Sequence, residues 1–149
     1  MVMCDYFSAP GDEAALRVLD RPGGPDPSVF DVLPLKGFDP VVVMARLEAI
    51  VTGCDDAQAS ARPRSGMLMS TPPDPERGLV MSVSDTLQRA LASASEERLA
   101  EASGPLAEIE ELRGDRFSAE DALGVLRLLS GLARRAESGG MRLYCWWAL

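Results

Sequence analysis

Three cysteines, Cys4, Cys54 and Cys145, are the residues of this chain with the most reactive side chains. A thiol acts as a nucleophile only as its thiolate, so it needs a nearby base or a positive field. The chain has no histidine. That removes the usual general base, the usual metal ligand and the usual partner of a Ser or Cys nucleophile together. The work would fall to Asp, Lys or Arg. Cys4 precedes Asp5-Tyr6, and Cys145 lies between Tyr144 and Trp146. Free cysteines in such apolar runs are usually inert core residues. No Cys-x-x-Cys pair is present, so the spacing of a structural zinc site is missing. The odd count, without a signal peptide, is read as reduced thiols.

Carboxylates are the second candidate. Glu108 and Glu111 are three apart and can share a helix face beside Glu110, and Asp55-Asp56 follows an expected helix end. Acid/base work or a hard metal ion would suit such pairs, but charged runs on helices are mostly solvated surface. Phosphate cradles are third. Pro22-Gly23-Gly24-Pro25 has no Lys-Ser/Thr after it and does not match a P-loop. Ser65-Gly66 and Gly139-Gly140 read as ordinary turns, and no G-x-S-x-G elbow occurs. No cofactor, metal or catalytic residue is therefore assigned, and the enzyme reading stays open but is not favoured.

The remaining candidate is aromatic. Met141-Arg142-Leu143-Tyr144-Cys145-Trp146-Trp147-Ala148-Leu149 holds both tryptophans of a chain that is only 5% aromatic. It follows Gly139-Gly140 and reads as a buried strand. By the two-residue period, Tyr144, Trp146 and Ala148 share one face, and Leu143, Cys145, Trp147 and Leu149 the other. Both faces are apolar. Either both are covered, or one lines a pocket or interface, with Asp5, Tyr6, Tyr144, Cys145 and Trp146 as its candidate residues.

Those residues need elements to hold them. Val2 to Ser8 reads as a first strand stopped by Ala9-Pro10-Gly11. Asp12-Glu13 open a short helix to about Leu19, and the Pro/Gly-rich stretch from Arg21 to Pro27 ends it. Val29 to Leu33 is a short strand or irregular segment that Pro34 confines to an edge. Asp39 caps a helix with Pro40 at its first position, running to about Thr52 and stopped by Gly53. Residues 54–77 loosen in composition, with Met67-Leu68-Met69 as a brief strand and Pro72 to Pro75 as a loop. Gly78 to Val83 reads as a strand leading into the helix cap Ser84-Asp85. Ser93 and Glu96 offer a capping box for the next helix, which Gly104-Pro105 should break. Leu106, Ile109 and Leu112 continue the apolar spacing before a turn at Gly114-Asp115. Ser118 and Asp121 open the longest helix, about Ala119 to Ser138.

This order implies one α+β domain over residues 1–149: a small mixed sheet holding the N- and C-terminal strands, flanked by about four to six helices. If the terminal strands are neighbours, Cys4 and Cys145 are close.

Several of these features resemble the YfbM-like family of uncharacterised bacterial proteins. The start Met1-Val2-Met3-Cys4-Asp5-Tyr6-Phe7, the helix end Leu47 to Val51-Thr52-Gly53, and Val83-Ser84-Asp85-Thr86-Leu87 through Ser95-Glu96-Glu97-Arg98-Leu99 carry the likeness, with the long last helix and hydrophobic terminal strand. It is also similar to an actinobacterial branch of short acidic proteins ending Leu-Tyr-Cys-Trp. The resemblance implies a single α+β domain and transfers no site residues.

Charge narrows the partners. The net charge of −8, from 15 basic and 23 acidic residues, argues against nucleic acid and anionic membrane. No apolar run approaches the roughly 20 residues that span a bilayer, and the N-terminus lacks the positive start of a signal peptide. The expectation is a cytoplasmic, non-enzymatic binding protein that meets a basic protein partner, with an immunity- or antitoxin-like inhibitor as its concrete form. The alternative is a small-molecule binder or enzyme with a pocket beside the C-terminal strand. Exposed sheet edges also make a homodimer an expectation.

Overall fold

A computed structural model describes residues 3–74, 76–113 and 116–148. Val2, Pro75, the turn at Gly114-Asp115 and the terminal Leu149 lie outside them. Four strands, β1 (Met3–Ala9), β2 (Val32–Lys36), β3 (Leu79–Ser82) and β4 (Arg142–Ala148), form one sheet in the order β2-β1-β4-β3. The N- and C-terminal strands lie side by side at its centre, with Tyr6 opposite Cys145 and Phe7 opposite Tyr144. Every pairing is antiparallel, so the sheet is not mixed. The helices that intervene along the chain return each strand in the opposite sense to its neighbour, and no right-handed parallel crossover is made.

The helices are α1 (Asp12–Leu16), α2 (Val42–Thr52), α3 (Asp56–Ala61), α4 (Asp85–Ser93), α5 (Glu96–Ala107), α6 (Glu110–Arg113) and α7 (Ala119–Ser138). A 3-10 turn, Arg17–Asp20, continues α1 and tightens the end of the helix read from Asp12 to Leu19. The fold is α+β. One sheet face carries Cys4, Tyr6, Met81, Leu143 and Cys145 into a core shared with Leu47, Leu91, Leu106, Leu126 and Leu132 of the long helices. The other carries Phe7, Val80, Tyr144 and Trp146 against Ala15 and Val18. The alternation along β4 is thus the one its period dictates, and both faces are covered.

Several local readings shift. α2 starts at Val42, so Pro40 lies in the turn before it and not at its first position, and Val41 is its N-cap. Asp39 Oδ1 accepts from the Val41 and Val42 amides at 2.9 and 2.6 Å and fixes that turn. The cap of α5 is Ser95, not Ser93; the Ser95 hydroxyl accepts from Arg98 N at 3.1 Å, while Ser93 bonds back to the Arg89 carbonyl within α4. Gly104-Pro105 does not break α5, because Pro105 lies in its last turn, where the missing N–H costs a single bond. The 54–77 stretch contains α3, closed by a reciprocal capping box of Asp55 and Gln58. Ser118 and Asp121 make the corresponding box for α7.

The sheet edges differ. Met67 to Met69 runs along the outside of β3, with Met69 N on Val80 O and Ser82 N on Met67 O, both 2.8 Å. β2 begins three residues later than its sequence reading and is an edge strand holding Pro34 and Lys36. A proline without N–H and a solvated lysine guard such an edge against strand addition.

Trp146 ties two loops to the central strand. Its indole Nε1 donates to the Arg77 carbonyl at 2.9 Å. Gly24 and Gly78, both at positive φ, press their backbones on its ring, and a Cβ added at either would lie 2.6 or 2.4 Å from ring atoms. Gly24→Ala and Gly78→Ala should each destabilise the protein by about 3 kcal/mol, combining overpacking with left-handed strain. Gly124, inside α7, faces open space, so Gly124→Ala should stabilise by about 0.5–1 kcal/mol. Urea unfolding of the three variants checks both signs.

Candidate functional site

The sequence candidates do not form one pocket. Tyr6 and Cys145 point to the helix-covered face, and Tyr144 and Trp146 to the opposite one. Tyr6, Tyr144 and Cys145 have no exposed surface and Trp146 has 4%. Tyr6 donates its hydroxyl to the Phe38 carbonyl, and Phe7 stacks on Tyr144 at 5.8 Å between ring centres. These residues are core, which corrects the expectation that they line a pocket or interface. Asp5 alone stays half-buried, between Pro34 and Trp146 in the register. Partial burial raises its carboxyl pKa above the ordinary value.

What the fold assembles instead are two polar networks that the sequence did not flag. The first lies where β1 leads into α1 and β3 into α4. Tyr144 donates its hydroxyl to Asp12 Oδ1 at 2.7 Å, and Arg64 Nη1 meets the same oxygen at 3.1 Å. The Arg64 guanidinium lies 5.4 Å from the Tyr144 ring centre and 3.7 Å from Asp85, which Arg142 also approaches at 3.9 Å. Arg64 is held at φ 68°, and its buried Nε and Nη2 have no hydrogen-bond acceptor among the described residues. The Tyr144 bond, then Arg64, holds the Asp12 carboxyl below its usual range. Burial, reinforced by the bond to Asp12, pushes the Tyr144 phenol up to about 12.

The second network surrounds Glu48, a carboxylate only 1% exposed in the middle of α2. It accepts hydrogen bonds from the Ser84 and Thr86 hydroxyls and pairs with Arg62 at 2.8 Å. Ser84 also accepts from Leu87 N at 3.1 Å as the cap of α4. The carboxylate therefore locks α2, the segment after α3 and the start of α4 together. The apolar residues flanking Glu48 were the available signal, since a lone acid in a buried stripe must be paired. Gln88 is also buried. It donates to the Met141 carbonyl at 2.9 Å and accepts from Leu143 N at 3.0 Å, fixing α4 to the start of β4.

Among the described residues, two of the surface clefts combine apolar and charged walls. One, of about 510 Å³, lies beside the end of β1 and is lined by Ser8, Val18, Phe30 and Met141 with Arg17, Arg21, Asp20, Asp26 and Asp31 around it. Asp31 is already paired with Arg135 at 2.6 Å. The other, of about 370 Å³, runs between α2 and α5 and is lined by the apolar Ala49, Ile50, Pro105 and Ile109 and by Arg46, Cys54, Asp56 and Glu108. Arg46 is turned to Glu111 at 3.3 Å. Among the described residues no cluster of three or more His, Cys, Asp or Glu is arranged to hold a metal ion, and no helix is long and apolar enough to cross a membrane. Comparison with family models, curated proteins and solved structures finds no match to the chain.

Glu48→Ala should cost about 3–5 kcal/mol, because it leaves Arg62 and two buried hydroxyls unpaired, while Glu48→Gln should cost less. Urea midpoints of the two variants test this ordering.

Tyr144 gives a pH signature. The fold favours the neutral phenol, so this stabilisation is complete below pH 10 and is lost as pH rises from about 10 towards 12. The loss amounts to at most about 3 kcal/mol. Tyr144→Phe should be less stable than wild type at neutral pH, and its unfolding midpoint should fall less steeply over pH 10–12. Equal slopes in the two proteins would remove the assignment.

Proposed function

We propose that the protein is a non-enzymatic binding protein that engages a basic, amphipathic segment of a protein partner in the groove between α2 and α5. One observation carries the reading: that groove is lined by the apolar Ala49, Ile50, Pro105 and Ile109 together with the carboxylates of Asp56 and Glu108. An amphipathic helix would lay apolar side chains on the first set and bring lysine or arginine to the second. The surroundings reinforce the preference. Asp55 precedes α3, and Glu110 and Glu111 open α6, on a chain of net charge −8. Long-range attraction would steer a basic partner towards this side and repel nucleic acid. An immunity- or antitoxin-like inhibitor in the cytoplasm is the concrete form we propose, and kinship with the YfbM-like proteins is part of the same proposal.

A second reading is supported by the cleft of about 510 Å³ beside the start of β4, whose size suits a small molecule. It rests on Val18, Phe30 and Met141 and not on Tyr144 or Cys145. Self-association by strand addition is opposed by Pro34 on the β2 edge.

The groove can be tested with a synthetic helical peptide of leucines on one face and lysines on the other. Calorimetry should detect binding at about 50 mM salt that weakens by about tenfold or more at 500 mM. Bound peptide should also slow alkylation of Cys54. Asp56→Lys combined with Glu108→Lys should abolish both effects. Undiminished binding by the double variant, or unchanged Cys54 alkylation, would reject the groove as the docking site.

A further inference from the structure

The first and last strands bring two thiols together inside the core. Cys4 lies opposite Trp147, and Tyr6 opposite Cys145. The two cysteines are therefore diagonal neighbours on adjacent antiparallel strands. They share a sheet face, since both belong to the helix-covered core. Diagonal neighbours on one face stand about 7–8 Å apart along the backbone and somewhat closer between side chains. Cys4 and Cys145 are near enough to perturb each other's titration, and joining them draws the two strands slightly together. Both thiols are free and without exposed surface. From this geometry we propose that Cys4 and Cys145 form a reversible disulfide modification site, which joins the two central strands when the protein meets a hydroperoxide oxidant.

The surroundings suit the two roles the reaction needs. Cys4 is the more acidic partner: the neighbouring Cys145 thiol, and after it the Gly37 amide, hold its pKa below the ordinary value. Burial pushes the Cys145 thiol well up. Cys4 is thus the attacking sulfur and Cys145 the resolving one. Access is shortest at Cys4, because it is the second residue of β1 and its neighbour Met3 is 42% exposed. Opening the first residues of an end of a strand takes far less than global unfolding.

The chemistry balances. The Cys4 thiolate attacks one peroxide oxygen, an S–O bond forms, the O–O bond breaks and hydroxide leaves. Cys145 sulfur then displaces the hydroxyl of the Cys4 sulfenic acid, forming the S–S bond, and its proton leaves with that hydroxyl as water. Two thiols are oxidised and one peroxide is reduced to two waters. The product closes a loop of about 140 residues, the kind of link that most restricts an unfolded chain.

The test uses the full chain carrying Cys54→Ser, which leaves both core thiols native and removes the half-exposed one. Folded protein is treated with hydrogen peroxide, quenched by alkylation, digested without reduction and mapped by mass spectrometry. The expected result is a linked peptide pair containing Cys4 and Cys145, a mass loss of two hydrogen atoms, and a higher unfolding temperature that a thiol reductant reverses. Recovery of both cysteines as alkylated thiols after peroxide treatment would overturn the proposal. So would their conversion to sulfinic acid without a link, or a link that forms only under unfolding conditions.

Discussion

Everything in this structure depends on burying β4 on both faces. A seven-residue strand carrying Leu, Tyr, Cys and two Trp has no side it can give to water. It is therefore central in the sheet, flanked by β1 and β3, with long helices on one face and α1 and its following turn on the other. The tryptophans then organise what is irregular. Trp146 bonds the Arg77 carbonyl and presses on Gly24 and Gly78, so loops distant in sequence are seated on the same indole. Trp147, on the other face, buries an indole N–H that has no hydrogen-bond acceptor among the described residues.

Polar residues inside the fold act mainly as fasteners. Glu48, Gln88 and Ser130 are buried, and each bridges elements far apart in the chain. Arginines do the same at helix ends. Arg98 donates to the carbonyls of Ile50 and Val51 at the end of α2, and Arg134 to those of Ala92 and Ala94 at the end of α4. Such bonds satisfy carbonyls that a helix terminus leaves open and place positive charge where the helix dipole favours it. The titratable groups gathered near Tyr144 are paired in the same manner. This is why the acidic surface and its grooves, and not the buried networks, carry the proposed function.

Much of the architecture was legible from local chemistry. The long α7, its Ser118–Asp121 box, the Gly53 stop and the presence of both terminal strands in one sheet follow from period, capping and composition, whereas their pairing as neighbours does not. The errors have physical causes. A proline in the last turn of a helix reads as a breaker although it removes a single bond, which hid the continuity of α5. Ser93 and Ser95 are equivalent as capping letters, and the geometry of the α4–α5 junction selects the second. The short α3 has little apolar periodicity, so its box at Asp55 and Gln58 was overlooked in a loose stretch.

The sequence by itself determined that β4 must be buried, that Cys4 and Cys145 would meet if the ends paired, and that the surface would be acidic. These follow from side-chain period and composition alone. Only the tertiary structure decided that both faces of β4 are covered, that Tyr144 answers to Asp12 and Arg64, and that Glu48 is held by residues from two other segments. Each of those outcomes is a contact between residues distant in the chain. No local pattern encodes such a contact, because it exists only after the helices have chosen which face of the sheet to cover.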